Sequence, residues 1–450
     1  MAEGTRAPLD SVTAIGQMLD ADGAWSRRRW APPLIGAMML FDSWDIIIIA
    51  YMMPYLSEEW HLGTYATGWL LSSAAIGQFL GALGIGWLAE RFGRKPVLCV
   101  AVIAMCLASL ACAFSGNPGQ LMALRFLQGL AMGGALPVAA SYVNELAPVQ
   151  TRGRFFSTYQ FLMVAGFPVA SVSAAFLAKD YGWRLLFEIG ALPIVFVPLL
   201  WFLFPDSPRW LNRTKGFATA AAAIRRLGGP AEPPGPVSES DIKEEHVPVS
   251  ALFRRSLRRV SIVMFFLWFM TSLVNYGLLN WTPTIFVSEF GLSKEDALDF
   301  TALGSIPIFF APIVLGATID RFGRRPFAIG GALAATLCLT TLALVPYSYP
   351  LALVTLTLGG GFTIGVVAVL LWPYSSEVFP TAVRSVGLGV SSSLARAASS
   401  LTPLFVGGLI GLSGDVRLVF IVFAVIAAAN TLLWWKGTVE TARRPTPEHV

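Results

Sequence analysis

Two carboxylates, Asp42 and Asp45, and two guanidinium groups, Arg125 and Arg396, stand deep inside stretches that are otherwise apolar. A charge at mid-membrane costs about 2.5–3.5 kcal/mol on insertion scales, so residues of this kind at such depth need a task. Asp42 and Asp45 are three apart, which puts both on one helix face, turned to a protein-lined or watery interior. A carboxyl group beside an arginine can couple protons: ionised it holds the guanidinium, protonated it releases it. Burial favours the neutral acid and the guanidinium favours the carboxylate, so the balance can fall in the working range. The simpler alternative is a permanent ion pair that neutralises both. Asp42 has three readings: a second proton site, an acceptor for a bound molecule, or a polar residue packed against another helix. Arg396 offers a planar fork of donors suited to a carboxylate. Its alternative is an ion pair with Asp42 or Asp45 across a cavity. Around these lie Trp44, Tyr159, Tyr276, Trp281, Trp372 and Tyr374, with Gln160, Asn275 and Asn280 able to orient a bound group. An aromatic-lined cavity with one arginine suits a small, flat, monoanionic acid.

The elements that must position these side chains are membrane helices. The 450 residues are 55% hydrophobic and 13% charged, and the apolar runs are unbroken rather than alternating, which argues for helices over a barrel. Twelve runs can be counted, near 32–56, 66–89, 96–115, 120–146, 155–178, 185–204, 260–286, 297–319, 326–346, 350–376, 385–411 and 416–435. An even number leaves both termini on one side. With the termini cytoplasmic, the outer loops and span edges hold only Lys179, Arg184, Lys294 and Arg417 of the 32 Lys and Arg, while Arg125 and Arg396 alone fall deep inside runs. The expectation is a multi-pass protein of the plasma (bacterial inner) membrane, embedded in the lipid bilayer, with cytoplasmic termini. Residues 1–29 are polar and lack the apolar core of a cleavable signal peptide. The four cysteines all lie in apolar runs, and His61, His246 and His449 lie in loops or the tail, so neither a metal site nor a histidine relay is expected. The net charge of +5 reflects topology and gives no reason to expect nucleic acid. Nucleophile–base pairs, phosphate loops and nucleotide motifs are absent, so neither an enzyme nor a cofactor is expected, and ATP is not the energy source.

Between the sixth and seventh runs, a polar stretch carries an amphipathic segment at 218–227 and a breaker-rich one at 228–236. The organisation is a tail (1–29), a six-helix half (30–205), a cytoplasmic linker (206–258), a second six-helix half (259–436) and a tail (437–450). The halves repeat. Residues 86–95, Gly-Trp-Leu-Ala-Glu-Arg-Phe-Gly-Arg-Lys, match 316–325, Gly-Ala-Thr-Ile-Asp-Arg-Phe-Gly-Arg-Arg, at an offset of 230. Glu145-Leu146-Ala147-Pro148 with Arg152 matches Glu377-Val378-Phe379-Pro380 with Arg384 at an offset of 232. Internal duplication is the form of transporters whose site lies between the repeats at mid-membrane.

The G-x-L-A-[DE]-R-x-G-R-[KR] loops resemble the signature of the major facilitator superfamily. Arg125-Phe126-Leu127-Gln128-Gly129-Leu130-Ala131-Met132-Gly133, with Glu145 and Arg152, is similar to the sugar-porter signature, as is Pro205-Asp206-Ser207-Pro208-Arg209-Trp210-Leu211. The seventh run lacks the paired amides of sugar porters. Phe41-Asp42-Ser43-Trp44-Asp45 resembles the D-G-[FY]-D element of bacterial aromatic-acid:proton symporters, with Ser and Trp in place of Gly and the usual aromatic. Glu377 to Arg396 is similar to the organic-ion and niacin transporters, which place a basic residue in the eleventh span when they carry anions. The resemblance covers about residues 30–440.

It implies an all-α fold of twelve transmembrane helices in two pseudo-symmetric halves, working as a monomer by alternating access. It makes the first and fourth spans neighbours, so that Asp45 can reach Arg125. Glu90, Arg94, Asp320 and Arg324 are then expected to latch the outward-open state, and Glu145 with Arg152 and Glu377 with Arg384 to form inner-gate ion pairs. The function implied is proton-coupled import of a small organic anion, an aromatic carboxylate first. Asp45, Asp42 and Arg125 would carry the proton coupling. Arg396, Asp42, Trp44, Tyr159, Gln160, Asn275, Tyr276, Asn280, Trp372 and Tyr374 would form the substrate site. The alternatives are a proton-driven drug or metabolite exporter and a sugar or polyol:proton symporter.

Overall fold

Backbone polar groups find no water in a hydrocarbon layer, so each apolar run closes its own hydrogen bonds as a helix. The computed structural model describes residues 9–21, 28–148, 151–230, 232–233, 235–238, 248–346, 350–380 and 383–441. The first half contains α1 (Ala31–Glu59), α2 (Thr64–Phe92), α3 (Arg94–Ala113) and α4 (Pro118–Leu146). The next continuous stretch, Arg152–Leu203, has 52 residues and as a straight helix would reach about 78 Å, far beyond a bilayer core of about 30 Å. It is broken at Gly182, whose φ of 72° suits glycine, giving α5 (152–181) and α6 (183–203). The second half contains α7 (Arg258–Ser288), α8 (Lys294–Phe322), α9 (Arg324–Leu344), α10 (Pro350–Val378), α11 (Arg384–Ser413) and α12 (Arg417–Gly437). Among the described residues, nine helical stretches are long and apolar enough to cross a membrane, and the bent pair within 64–92 makes ten. With Arg152–Leu203 divided and α8 added, this accommodates the twelve runs expected from sequence, with ends that differ by a few residues.

The side on which α1 begins and α12 ends is the near side; the opposite side is the far side. Glycines let helices meet closely. A β-carbon at Gly77, Gly81, Gly129 or Gly133 would overlap backbone atoms of the facing helix, so α2 and α4 pack almost backbone to backbone. The apolar core is divided in a way that bears on function. One cluster joins both halves through Ile48, Met52, Leu278, Trp281, Phe286 and Phe420. Two further clusters, one around Met105 and Tyr142 and one around Leu267 and Trp434, each stay within a single half.

Hydrogen bonds and ion pairs between the halves follow the same division. Ser400 Oγ donates to the Ala75 carbonyl at 2.8 Å, and Ser171 and Ser305 hydroxyls lie 2.7 Å apart. Pro403 lies inside α11, and the amide of Leu404 next to it donates to Ser72 Oγ at 3.2 Å. Lys294 pairs with Glu58 at the far surface. Among the described residues these contacts all lie from mid-depth to the far side. The two halves are thus joined from mid-depth to the far side.

The near side carries more structure than a tail and a tether. Helix Ser11–Asp20 buries Ala14, Ile15, Met18 and Leu19 against linker helices Pro208–Lys215 and Phe217–Arg226. The second of these corresponds to the amphipathic segment expected at 218–227. Buried Arg28 donates to the carbonyls of Leu19 (2.7 Å) and Leu146, tying the tail to the end of α4.

Candidate functional site

A cavity of about 240 Å³ lies at mid-depth between the halves. Periodicity explains its walls. Trp268, Ser272, Asn275 and Tyr276 line one face of α7, and Ser392, Arg396 and Ser399 one face of α11. Gln78 enters from α2, Gly133 from α4 and Trp372 from α10. Trp372 stands edge-on to Trp268 with ring centroids 4.9 Å apart and is 55% exposed. Arg396 is the one cation among the lining residues, and its Nη1 donates to the Gly133 carbonyl of the other half at 3.2 Å. No ion pair joins it to Asp42 or Asp45 among the described residues.

Of the substrate-site residues expected from sequence, Arg396, Asn275, Tyr276, Asn280 and Trp372 line this cavity. The others do not. Trp44 is buried against α6, its Nε1 donating to the Leu186 carbonyl at 3.3 Å. Tyr159 is buried, with its hydroxyl 3.5 Å from the Leu136 carbonyl, and Gln160 on the same helix is half-buried outside the lining. Tyr374 lies near the near-side surface, donating to the Val439 carbonyl at 2.9 Å. Trp268, Gln78, Ser272, Ser392 and Ser399 are lining residues that sequence reasoning missed. The α7 and α11 members sit three, four or seven places from expected ones, and that spacing was the available signal.

Asp42 and Asp45 are 1% and 0% exposed. Asp42 lies within electrostatic range of Asp45, Arg396, Tyr159 and Tyr276, and neither of its carboxyl oxygens has a hydrogen-bond partner. α1 and α4 do bring Asp45 and Arg125 together, but not carboxylate to guanidinium. Arg125 Nη2 donates to the backbone carbonyl of Asp45 at 2.8 Å, and Nη1 to Gln128 Oε1 at 2.5 Å. The Asp45 carboxyl instead meets the Ser109 hydroxyl, 3.2 Å from Oδ1.

The near-side charges also differ from expectation. Arg94 reaches Glu90 at 2.6 Å and Glu145 at 3.2 Å, and Glu90 also meets Arg213. Arg324 grips Glu377 through Nε and Nη2, at 2.9 Å for the shortest contact. Glu145 and Glu377 therefore pair with Arg94 and Arg324, not with Arg152 and Arg384, whose ion pairs to them do not occur among the described residues. The reason is chain geometry. Gly93 and Gly323, at φ 103° and 90°, turn the chain so sharply that the next residue starts a helix beside the end of α4 or α10. Arg152 and Arg384 lie beyond a loop, and Arg384 Nε faces the Phe379 carbonyl at 3.4 Å. The Asp320 side chain lies outside the described residues. The Arg94–Glu145 and Arg324–Glu377 pairs each stay within one half, and Glu90–Arg213 ties the first half to the linker.

A second repeated device was not anticipated. Asp206 accepts from the amides of Arg94 and Lys95 at 3.0 and 3.1 Å, capping α3. Glu440 accepts from those of Arg324 and Arg325, both at 3.0 Å, capping α9. Tyr142 and Tyr374 each donate to the carbonyl just before the capping acid, Pro205 and Val439.

A mid-depth cavity between two six-helix halves that meet across its far side defines a membrane transporter of the major facilitator type and not an enzyme. The chain belongs to the Sugar (and other) transporter family, which matches residues 36–449. It is 32% identical to the gallate transporter of Pseudomonas putida over 88% of each chain. It is 29% identical to the niacin transporter NiaP of Acinetobacter baylyi, over 88% of this chain and 90% of that one. Its fold is similar to the inward open conformation of the xylose transporter XylE from E. coli, with a TM-score of 0.72 at 20% identity, covering 92% of this chain and 97% of that one.

Proposed function

We propose that this transporter imports a small aromatic carboxylate together with protons across a bacterial inner membrane, its near side facing the cytoplasm. The observation that carries the reading is Arg396: one guanidinium lining an otherwise uncharged cavity, flanked by an indole pair and by Asn275, Tyr276 and Asn280. A fork of donors beside flat apolar walls matches a ring bearing one carboxylate. Two relatives named for gallate and niacin, both aromatic carboxylates, support the same class. Because Arg396 also holds a carbonyl of the opposite half, a bound carboxylate competes for a contact between the halves, linking loading to rocking. Asp45, with Asp42 one turn away, is the proton site, and Arg125 its partner. Near-side pairs such as Arg94–Glu145 and Arg324–Glu377 keep each half rigid while it moves.

The test is direct binding to purified protein of benzoate, 4-hydroxybenzoate, gallate, uncharged benzamide and xylose. At least one carboxylate should bind, benzamide and xylose should not, and Arg396→Ala should weaken binding about 10- to 150-fold, the worth of a charged hydrogen-bond pair. Binding of xylose, or of cationic drugs without dependence on Arg396, would replace this reading with a sugar symporter or an exporter.

A further inference from the structure

Asp45 sits in a niche walled by α1, α3, α4 and α6; Arg125 Nε has no partner there, and the Gln128 side-chain amide lies beside the Asp45 carboxyl while neither Gln128 Nε2 nor Asp45 Oδ2 completes a hydrogen bond. Arg125, 0% exposed, spends its Nη donors on the amide oxygen of Gln128 and on a backbone carbonyl. A buried guanidinium beside an ionised carboxylate would be expected to take it by two parallel bonds. The single proton of the Ser109 hydroxyl has the Phe187 carbonyl at 2.9 Å as its nearer acceptor and Asp45 Oδ1 at 3.2 Å as its farther one, a position from which the hydroxyl can donate to an ionised acid or accept from a neutral one. Gly190 makes the space: a β-carbon there would stand 2.7 Å from Asp45 Oδ1 and closer still to Ser109 Oγ. The niche has the form of a neutral acid with its arginine set aside.

We propose that Gln128 is a parking partner for Arg125, a positioning residue that holds the guanidinium while Asp45 is protonated and yields it when Asp45 ionises. This rests on Asp45 being the proton site. On ionisation the proton leaves the carboxyl group for water, Arg125 Nη1 leaves Gln128 Oε1, and the guanidinium donates to Asp45. The niche goes from one net positive charge to none. A glutamine suits the task because its oxygen accepts from a cation yet, uncharged, loses to a carboxylate. Leucine could not hold the guanidinium; glutamate would not release it. The other titratable groups facing the niche are Asp42 on α1 and Cys106 and Cys112 on α3. α6 faces the niche with Gly190 and with the Phe187 carbonyl and ring. Tyr159 of α5 and Tyr276 of α7 face Asp42 instead.

The experiment needs no substrate. The infrared carbonyl band of protonated Asp45, assigned by its loss in Asp45→Asn, is titrated in reconstituted protein. Wild type is compared with Gln128→Leu and Gln128→Glu, each read against its own Asp45→Asn double variant. In Gln128→Leu the freed Arg125 turns to the Asp45 carboxyl, which outweighs the loss of the Gln128 amide beside that carboxyl, so the midpoint should move to lower pH by about one unit, a tenfold change in proton affinity, and a move to higher pH would overturn the proposal. In Gln128→Glu it should move the other way. Wild-type midpoints in both variants, with or without a change in thermal stability, would overturn the proposal and leave proton coupling at Asp45 intact. Absence of any titrating Asp45 band in wild type would overturn both. If Gln128→Leu fails to fold, the direction of the Gln128→Glu shift decides alone.

Discussion

Replacing Gly68 by alanine should tip the transporter away from its far-side-closed state. A β-carbon at Gly68 would lie 2.8 Å from the Pro403 carbonyl oxygen and 3.3 Å from Leu404 Cα, across the seam between α2 and α11. Ordinary contact begins near 3.4 Å, so the seam must open by about half an ångström, stretching the adjacent Leu404–Ser72 hydrogen bond of 3.2 Å. Overpacking of this kind costs about 1–3 kcal/mol. The overlap exists only while the far side is closed, so the cost falls on one state and shifts the equilibrium about 5- to 150-fold. The assay is pulsed electron paramagnetic resonance between labels at Gly116→Cys and Leu412→Cys, exposed far-side positions in opposite halves, with the four native cysteines replaced. Gly68→Ala should transfer population to longer distances. Gly84→Ala on the same helix, where a β-carbon meets nothing within 4 Å, should not. A Gly68→Ala distribution equal to wild type would refute the argument that this seam sets the closed state.

Gly190→Ala should abolish proton-driven transport while the protein still folds, because its β-carbon fills the space beside Asp45; wild-type transport rates in the variant would refute that. Asp206→Ala and Glu440→Ala should each lower the thermal unfolding midpoint, since each strips the cap from a helix start, a loss of about 0.5–2 kcal/mol. Similar drops in the two would support the equivalence of these caps. In double-mutant cycles, Glu377 should couple to Arg324 by about 1 kcal/mol and to Arg384 by much less. The reverse order would restore the ion pair expected from sequence.

The spans were legible because bilayer thickness imposes a length that apolar runs display directly, and the duplication was legible in the loops around Gly93 and Gly323. Arg396 was found for a similar reason: an arginine that deep has few uses. Rotation about helix axes was harder to read. Trp44 and Trp372 look alike in sequence, yet one packs on α6 and the other lines the cavity, a difference fixed by which neighbour each face meets. Trp268 was within reach, since it precedes Ser272 and Asn275 on one face of α7. The partner of Arg125 was not, because a backbone carbonyl leaves no mark in a sequence. Glu440 escaped notice because its offset from Asp206, 234 residues, slips against the 230 and 232 of the recognised repeats. Tyr142 and Tyr374 do share the 232 offset and could have disclosed that device.

The central claim is that proton entry at Asp45 drives a carboxylate held by Arg396. It is tested most directly by uptake of radiolabelled benzoate, 4-hydroxybenzoate or gallate into proteoliposomes with an imposed inward proton gradient. Wild type should accumulate at least one of these above equilibrium. Asp45→Asn should lose accumulation yet still exchange substrate across the membrane, and Arg396→Ala should lose both. Accumulation that survives in Asp45→Asn, or carboxylate transport undiminished in Arg396→Ala, would contradict the account.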